Sequence, residues 1–131
     1  MAVVLVVDDE ELVRTVLRQF LEKCKFSVLE ARDGEEALAL IKSQRVDIVI
    51  CDLIMPRLDG IATIMSIRRV APAMKIIAIS GGGRSQALEL LKVAGHMGAD
   101  HVLGKPFTKD QILGLVARCL TESVGKDAVA T

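Results

Sequence analysis

The sequence predicts an α/β fold in which a parallel sheet is covered by helices on both faces. Two observations carry this. Five short segments rich in β-branched residues alternate with longer segments of helical spacing. Those strand-like segments that run apolar without polar alternation suggest burial on both faces. A third observation bounds the size: 131 residues, 51% of them hydrophobic, suit one domain. Trp and Tyr are absent and Phe occurs three times, so the core must be aliphatic.

The strand segments are "VVLVV" (3–7), "FSVLEA" (26–31), "DIVIC" (47–51), "KIIAIS" (75–80) and "DHVLG" (100–104). Between the first two, Leu12, Val13, Val16, Leu17, Phe20, Leu21 and Cys24 repeat at helical spacing and predict one apolar face. Ala37, Leu38 and Ile41 follow a Asp-Gly pair as a second helix. Ile61, Ile64, Met65 and Arg68 mark a third that starts after Gly60. Leu88, Leu91 and Ala94 mark a fourth, ended near Gly95 or Gly98. The fifth opens on Thr108-Lys-Asp-Gln111, a capping-box pattern, and is expected to bury Ile112, Leu115, Val116 and Cys119. The closing "TESVGKDAVAT" is small and polar and is expected to fray. The division is therefore a domain over residues 1–121 and a short flexible tail over 122–131.

Composition excludes several classes. Lys plus Arg equal Asp plus Glu at 17 each, so no basic field favours nucleic acid. No apolar run approaches the roughly 18 residues of a membrane span, and the first residues lack a basic n-region. Cys24, Cys51 and Cys119 are odd in number and far apart, which fits neither a disulfide framework nor a zinc motif. A cytoplasmic protein with no nucleic acid and no membrane as partner is expected.

In a parallel α/β sheet, ligands bind at the carboxyl ends of the strands. Asp8 and Asp9 come just past the first strand, Asp52 just past the third, Ser80 closes the fourth and Lys105 follows the fifth. The plain reading of Asp8, Asp9, Glu10 and Glu11 is a helix cap with acids at a positive helix start. Asp52, followed by "LIMP", is no obvious cap. Two carboxylates about 4 Å apart at an effective dielectric of ~20 repel by about 4 kcal/mol. A cation, Lys105 or a proton must offset that. A hard divalent ion with oxygen ligands fits best, which describes Mg²⁺. Ser80 alone reads as a turn serine and Lys105 alone as a surface lysine. Lys105-Pro106 restricts the lysine backbone and permits a cis bond.

The pieces "VVDDE", "DIVICDLIMPRLDG", "IIAIS" and "ADHVLGKPF" together resemble a response-regulator receiver domain of two-component signalling, over about residues 2–121. The resemblance implies a flavodoxin-like doubly wound sheet, order 2-1-3-4-5 as in a chemotaxis receiver, in three α/β/α layers with five helices. It implies that Asp52 accepts a phosphoryl group from a histidine kinase or histidine phosphotransfer protein. Asp8 and Asp9 would hold Mg²⁺ with Asp52 and the backbone carbonyl of Ile54. Ser80 would hydrogen-bond the phosphoryl group and Lys105 would pair with it. Such a protein is no enzyme beyond its own phosphorylation and dephosphorylation, and it signals to a downstream protein by a conformational shift.

The chain departs from the family at three places. Val102 stands where the family has Tyr or Phe, three residues before the lysine, and strand alternation turns the adjacent His101 to the other face. His96 and His101 are expected to be solvated or locally bonded. The stretch from Ser80 to Lys105 is longer than usual and opens with "GGGRSQ", which is no P-loop; it reads as a mobile loop or a longer fourth helix with a modified output surface, or plainly as a tolerated loop insertion, and nothing supports a phosphate role for Arg84. Ile54 and Gly82, two positions beyond Asp52 and Ser80, offer nothing to orient a water, so slow loss of phosphate is expected.

The length leaves no room for an output domain, so a stand-alone receiver is expected. The alternatives are a receiver fragment of a larger regulator and a receiver-like interaction module that is never phosphorylated. An aspartyl phosphatase would want a second acid at position 54, which is Ile54. A flavin or nucleotide module would set its phosphates against the acids.

Overall fold

The structure, a computed structural model, describes residues 1–55, 60–81 and 84–130, without the side chains of residues 84–88, 90, 91 and 123–130. Strand and helix alternate throughout: β1 Val3–Val7, α1 Glu11–Lys23, β2 Ser27–Ala31, α2 Gly34–Ser43, β3 Ile48–Asp52, α3 Gly60–Val70, β4 Lys75–Ser80, α4 Arg84–Met97, β5 His101–Gly104 and α5 Lys109–Ala130. The five strands form one parallel sheet in the order β2-β1-β3-β4-β5. This is the flavodoxin-like order that the resemblance implies.

The continuous apolar runs make sense once both faces are covered. Successive residues of a strand point to opposite faces. Leu5, Val7, Val49, Cys51, Ile76 and Ala78 pack one way, with Ala37, Ile64, Ile67 and Ala94 of α2, α3 and α4. Val4, Val6, Ile48, Ile50, Ile77 and Ile79 pack the other way, with Leu17, Leu21, Ile112 and Val116 of α1 and α5. Every residue of β3 and β4 is buried. Each fully buried Leu, Ile or Val contributes about 1.5–3 kcal/mol relative to exposure, so the central strands anchor the rim that they carry.

Several local expectations are corrected. Leu12 is 75% exposed and Cys24 is exposed at the end of α1, while Arg14 is buried on the face with Leu17 and Leu21. The charged Arg14 wins that place because its head is hydrogen-bonded there. Met65 also faces out, and Ile67 takes the inward place on α3. No side chain caps α1: Glu10 holds the cap position without a capping bond. The Thr108–Gln111 capping box is present, with Gln111 N–H donating to Thr108 Oγ1 at 3.1 Å and Thr108 N–H to Gln111 Oε1 at 2.8 Å. Asp52 is the last residue of β3, paired with Ile79, instead of lying just past the strand. Gly98, at φ 126°, follows the end of α4, a backbone state that favours glycine. The helix α5 spans Lys109–Ala130. Leu88, Leu91, Arg84 and the "GGGRSQ" mobility fall on side chains or backbone outside the described residues, as does Gly82.

Candidate functional site

The site is built by the sheet order. β1 and β3 are neighbours, paired from Val4↔Ile48 to Val7↔Cys51, so the residues that follow, Asp8 and Asp52, meet at one rim. Backbone pairing continues one residue past each strand. Asp8 N–H donates to Ala31 O at 3.1 Å, Leu53 N–H to Ile79 O at 2.9 Å and Lys105 N–H to Ser80 O at 2.7 Å. The candidate positions are thus held by the ladder.

Carboxylate oxygens of Asp8, Asp9 and Asp52 lie within 4.8 Å of one another. Asp8 and Asp52 are buried and Asp9 is exposed. Lys105 Nζ is 3.5 Å from Asp8 Oδ2 and 3.5 Å from Asp52 Oδ2, so one amine serves two acids. Asp8 Oδ1 accepts from Glu10 N–H at 2.9 Å, and Asp52 Oδ1 from Ile54 N–H at 3.3 Å. Asp8 Oδ2 is buried and accepts no hydrogen bond. Its contact with Lys105 is an ion-pair distance, longer than a well-formed hydrogen bond.

This arrangement is electrostatically unsatisfied. Burial, then the charge of Asp8, pushes Asp52 up to about 6, against the opposing pull of Lys105 and Ile54 N–H. Burial also raises Asp8, against the Glu10 N–H and Lys105. One lysine does not balance three acids. A buried carboxylate oxygen without a donor, beside two further acids, is what an oxygen-liganded cation would complete.

A cleft of about 750 Å³ opens beside the acids. Asp9, Asp52 and Lys105 line its polar end, and Val13, Phe20 and Phe107 line an apolar wall between α1 and the start of α5. The Lys105-Pro106 bond is cis. Ser80 is buried at the end of β4, where its Oγ donates to Gly81 O at 3.3 Å. Ile54 is 51% exposed at the cleft.

The similarity to known proteins is extensive. A family model described as response regulator receiver domain matches residues 4–117. The chain belongs to the response-regulator receiver family. The receiver is 38% identical over 125 residues to response regulator MprA of Mycolicibacterium vanbaalenii, covering 95% of this chain and 52% of that protein. It is 34% identical to the alkaline phosphatase synthesis transcriptional regulatory protein PhoP of Bacillus subtilis, covering 92% of this chain and 49% of that one. The receiver thus spans about half the length of the curated relatives it matches. Among solved structures, a CheY-like receiver domain protein from Methanospirillum hungatei aligns at a TM-score of 0.89 and 25% identity, covering 96% of this chain and 98% of that one. NtrX from Brucella abortus aligns at 0.91 and 32% identity, over 99% of this chain and 29% of that one.

The receiver brings Asp8, Asp9, Asp52 and Lys105 together. Ser80 is on the same rim, with its hydroxyl turned to the backbone of Gly81. Val102 is 41% exposed, and His101, whose Nε2 is 2.7 Å from Glu122 Oε1, is largely shielded, as strand alternation requires. Three contributors escaped the sequence reading. Arg14 donates from Nη1 to Asp8 O at 2.7 Å and from Nε to Glu30 Oε1 at 3.0 Å, bracing the acidic turn from below. Its spacing of three and seven to Leu17 and Leu21 is the signal that places it on the buried face. Gly60 and Gly81 are the others. A Cβ on Gly60 would meet Asp52 O at 2.2 Å, and one on Gly81 would meet Lys105 Cδ at 3.1 Å. Nothing in a lone sequence announces such approaches.

Proposed function

We propose that this receiver accepts a phosphoryl group on Asp52 from a phosphohistidine of a histidine kinase or a histidine phosphotransfer protein. A carboxylate oxygen of Asp52 bonds to phosphorus, the N–P bond breaks, and its electron pair returns to the imidazole nitrogen, which takes a proton from solvent. The observation that carries this reading is the buried, undonated Asp8 Oδ2 facing Asp52, with Lys105 equidistant from both.

The all-oxygen donor set of Asp8, Asp9, Asp52 and the Ile54 carbonyl suits Mg²⁺, which when bound neutralises charge on the transferring oxygens. Asp52 is held by the sheet and by the Ile54 N–H, which aims one oxygen and leaves the other toward Lys105. Lys105 pairs with the added phosphoryl charge, about one to two negative units. Ser80 gives up its contact with Gly81 O and donates to a phosphoryl oxygen. That exchange biases α4 and β5 between two packings, and only differential contact with the phosphoryl group drives it. The apolar wall beside the acids supports docking of a helical donor there. The reaction acts on the receiver itself and turns over no separate substrate. A cytoplasmic setting fits a chain in which no described helix is long and apolar enough to cross a membrane.

A second reading, a receiver that forms one part of a longer regulator and not a stand-alone protein, is favoured by the half-length match to its relatives. The phosphoacceptor chemistry is common to both. Incubation with acetyl phosphate, with Mg²⁺ or with a chelator, followed by intact mass measurement, tests it. One phosphate adduct that needs the metal and vanishes in Asp52→Asn is expected. An adduct that survives Asp52→Asn, or no adduct at all, overturns the reading in favour of an unphosphorylated interaction module.

A further inference from the structure

At the opposite end of the sheet from the acidic rim, three side chains of different donor chemistry converge. His101 is the first residue of the edge strand β5. Cys119 and Glu122 are three residues apart on α5 and so share a face of the helix. The His101 nitrogen, the Cys119 sulfur and a Glu122 oxygen all lie within 4.8 Å of one another. The geometry points to a binding site for a divalent transition metal such as Zn²⁺, with His101, Cys119 and Glu122 as its protein ligands.

The donor set decides the class of ion. One imidazole, one thiolate and one carboxylate are unsuited to Mg²⁺ or Ca²⁺, which take oxygen ligands, and match a borderline-soft ion. Three protein ligands leave a fourth position to water. At metal–ligand distances of about 2.0–2.3 Å, tetrahedral donors stand about 3.3–3.8 Å apart. The His101–Glu122 contact of 2.7 Å must open to reach that spacing. Glu122 is able to give, because its side chain is 41% exposed, while Cys119 is buried. Thiolate and carboxylate together match the charge of a dication. The surroundings are mixed in sign, with Asp100, Lys75 and Arg118 near enough to act on Cys119. Lys75 is engaged with Asp100 at 3.9 Å. Binding releases the Cys119 proton to buffer and clasps β5 to α5.

The test is titration of the full chain with Co²⁺ in excess Mg²⁺, which fills the acidic rim. One equivalent should produce a thiolate-to-cobalt charge-transfer band that Zn²⁺ displaces. The band should survive Cys24→Ser and disappear in Cys119→Ser. His101→Asn and Glu122→Gln, at partly exposed positions, should each weaken binding at least about tenfold, and they carry the test if Cys119→Ser does not fold. Absence of the band in the wild type, its persistence in folded Cys119→Ser, or indifference to both His101→Asn and Glu122→Gln overturns the site.

Discussion

Gly60 packs so closely under Asp52 that a Cβ at position 60 would lie 2.2 Å from the Asp52 carbonyl oxygen and 2.3 Å from Leu53 Cα. Both obstacles are backbone, so no side chain can swing aside. Gly60 N–H also donates to Leu53 O at 3.1 Å, which ties the start of α3 to the end of β3. Gly60→Ala should therefore destabilise the fold by about 1–3 kcal/mol through overpacking, read as a lower urea midpoint. It should also slow metal-dependent phosphorylation by displacing Asp52. A variant as stable as the wild type would contradict the close approach.

The acidic rim makes stability depend on pH. Asp52 holds its proton up to about 6 in the folded state, against a reference of 3.8. Between those values the folded chain binds more protons than the unfolded one, so stability falls as pH rises from about 4 to about 6 and stays lower above. The Asp52 contribution is at most about 3 kcal/mol, and the raised Asp8 adds to it with the same sign. In metal-free buffer, Asp52→Asn should be more stable than the wild type at pH 7 and lose that advantage near pH 4. Mg²⁺ at pH 7 should stabilise the wild type more than the variant. Thermal unfolding across that pH range, with and without Mg²⁺, checks both statements.

Arg14 should matter to the rim through the Asp8 backbone, without meeting the carboxylates. Arg14→Met removes two charge-assisted bonds and leaves Asp8 O without its donor. A loss of about 1.5–3 kcal/mol is expected, with weaker Mg²⁺ affinity measured by calorimetry. Arg14→Lys should rescue little, because one ammonium does not reproduce a guanidinium that reaches Asp8 O and Glu30 at once. Full rescue by lysine would reduce Arg14 to a generic charge.

Ile54 stands half-exposed beside Asp52 and carries no group that orients water. The phosphorylated chain should lose its phosphate slowly, and Ile54→Gln should accelerate that loss by positioning a water. Time-resolved intact mass after removal of the donor gives both rates. Equal rates would show that position 54 does not govern hydrolysis.

Strand and helix alternation, the aliphatic core and the acids at the strand ends were all legible in the chain, because each depends on local periodicity or on residue type beside a strand. "VVLVV" and "DIVIC" could only be buried on both faces, and the rule for parallel sheets then fixed the rim where Asp8, Asp9, Asp52 and Lys105 meet. The inward turn of Arg14, the outward turn of Leu12 and the need for glycine at 60 were decided in three dimensions. So was the meeting of His101 with Cys119 and Glu122, which no cysteine spacing announces. Each depends on which backbone or side chain lies opposite, and that is settled by the packing of elements distant in sequence.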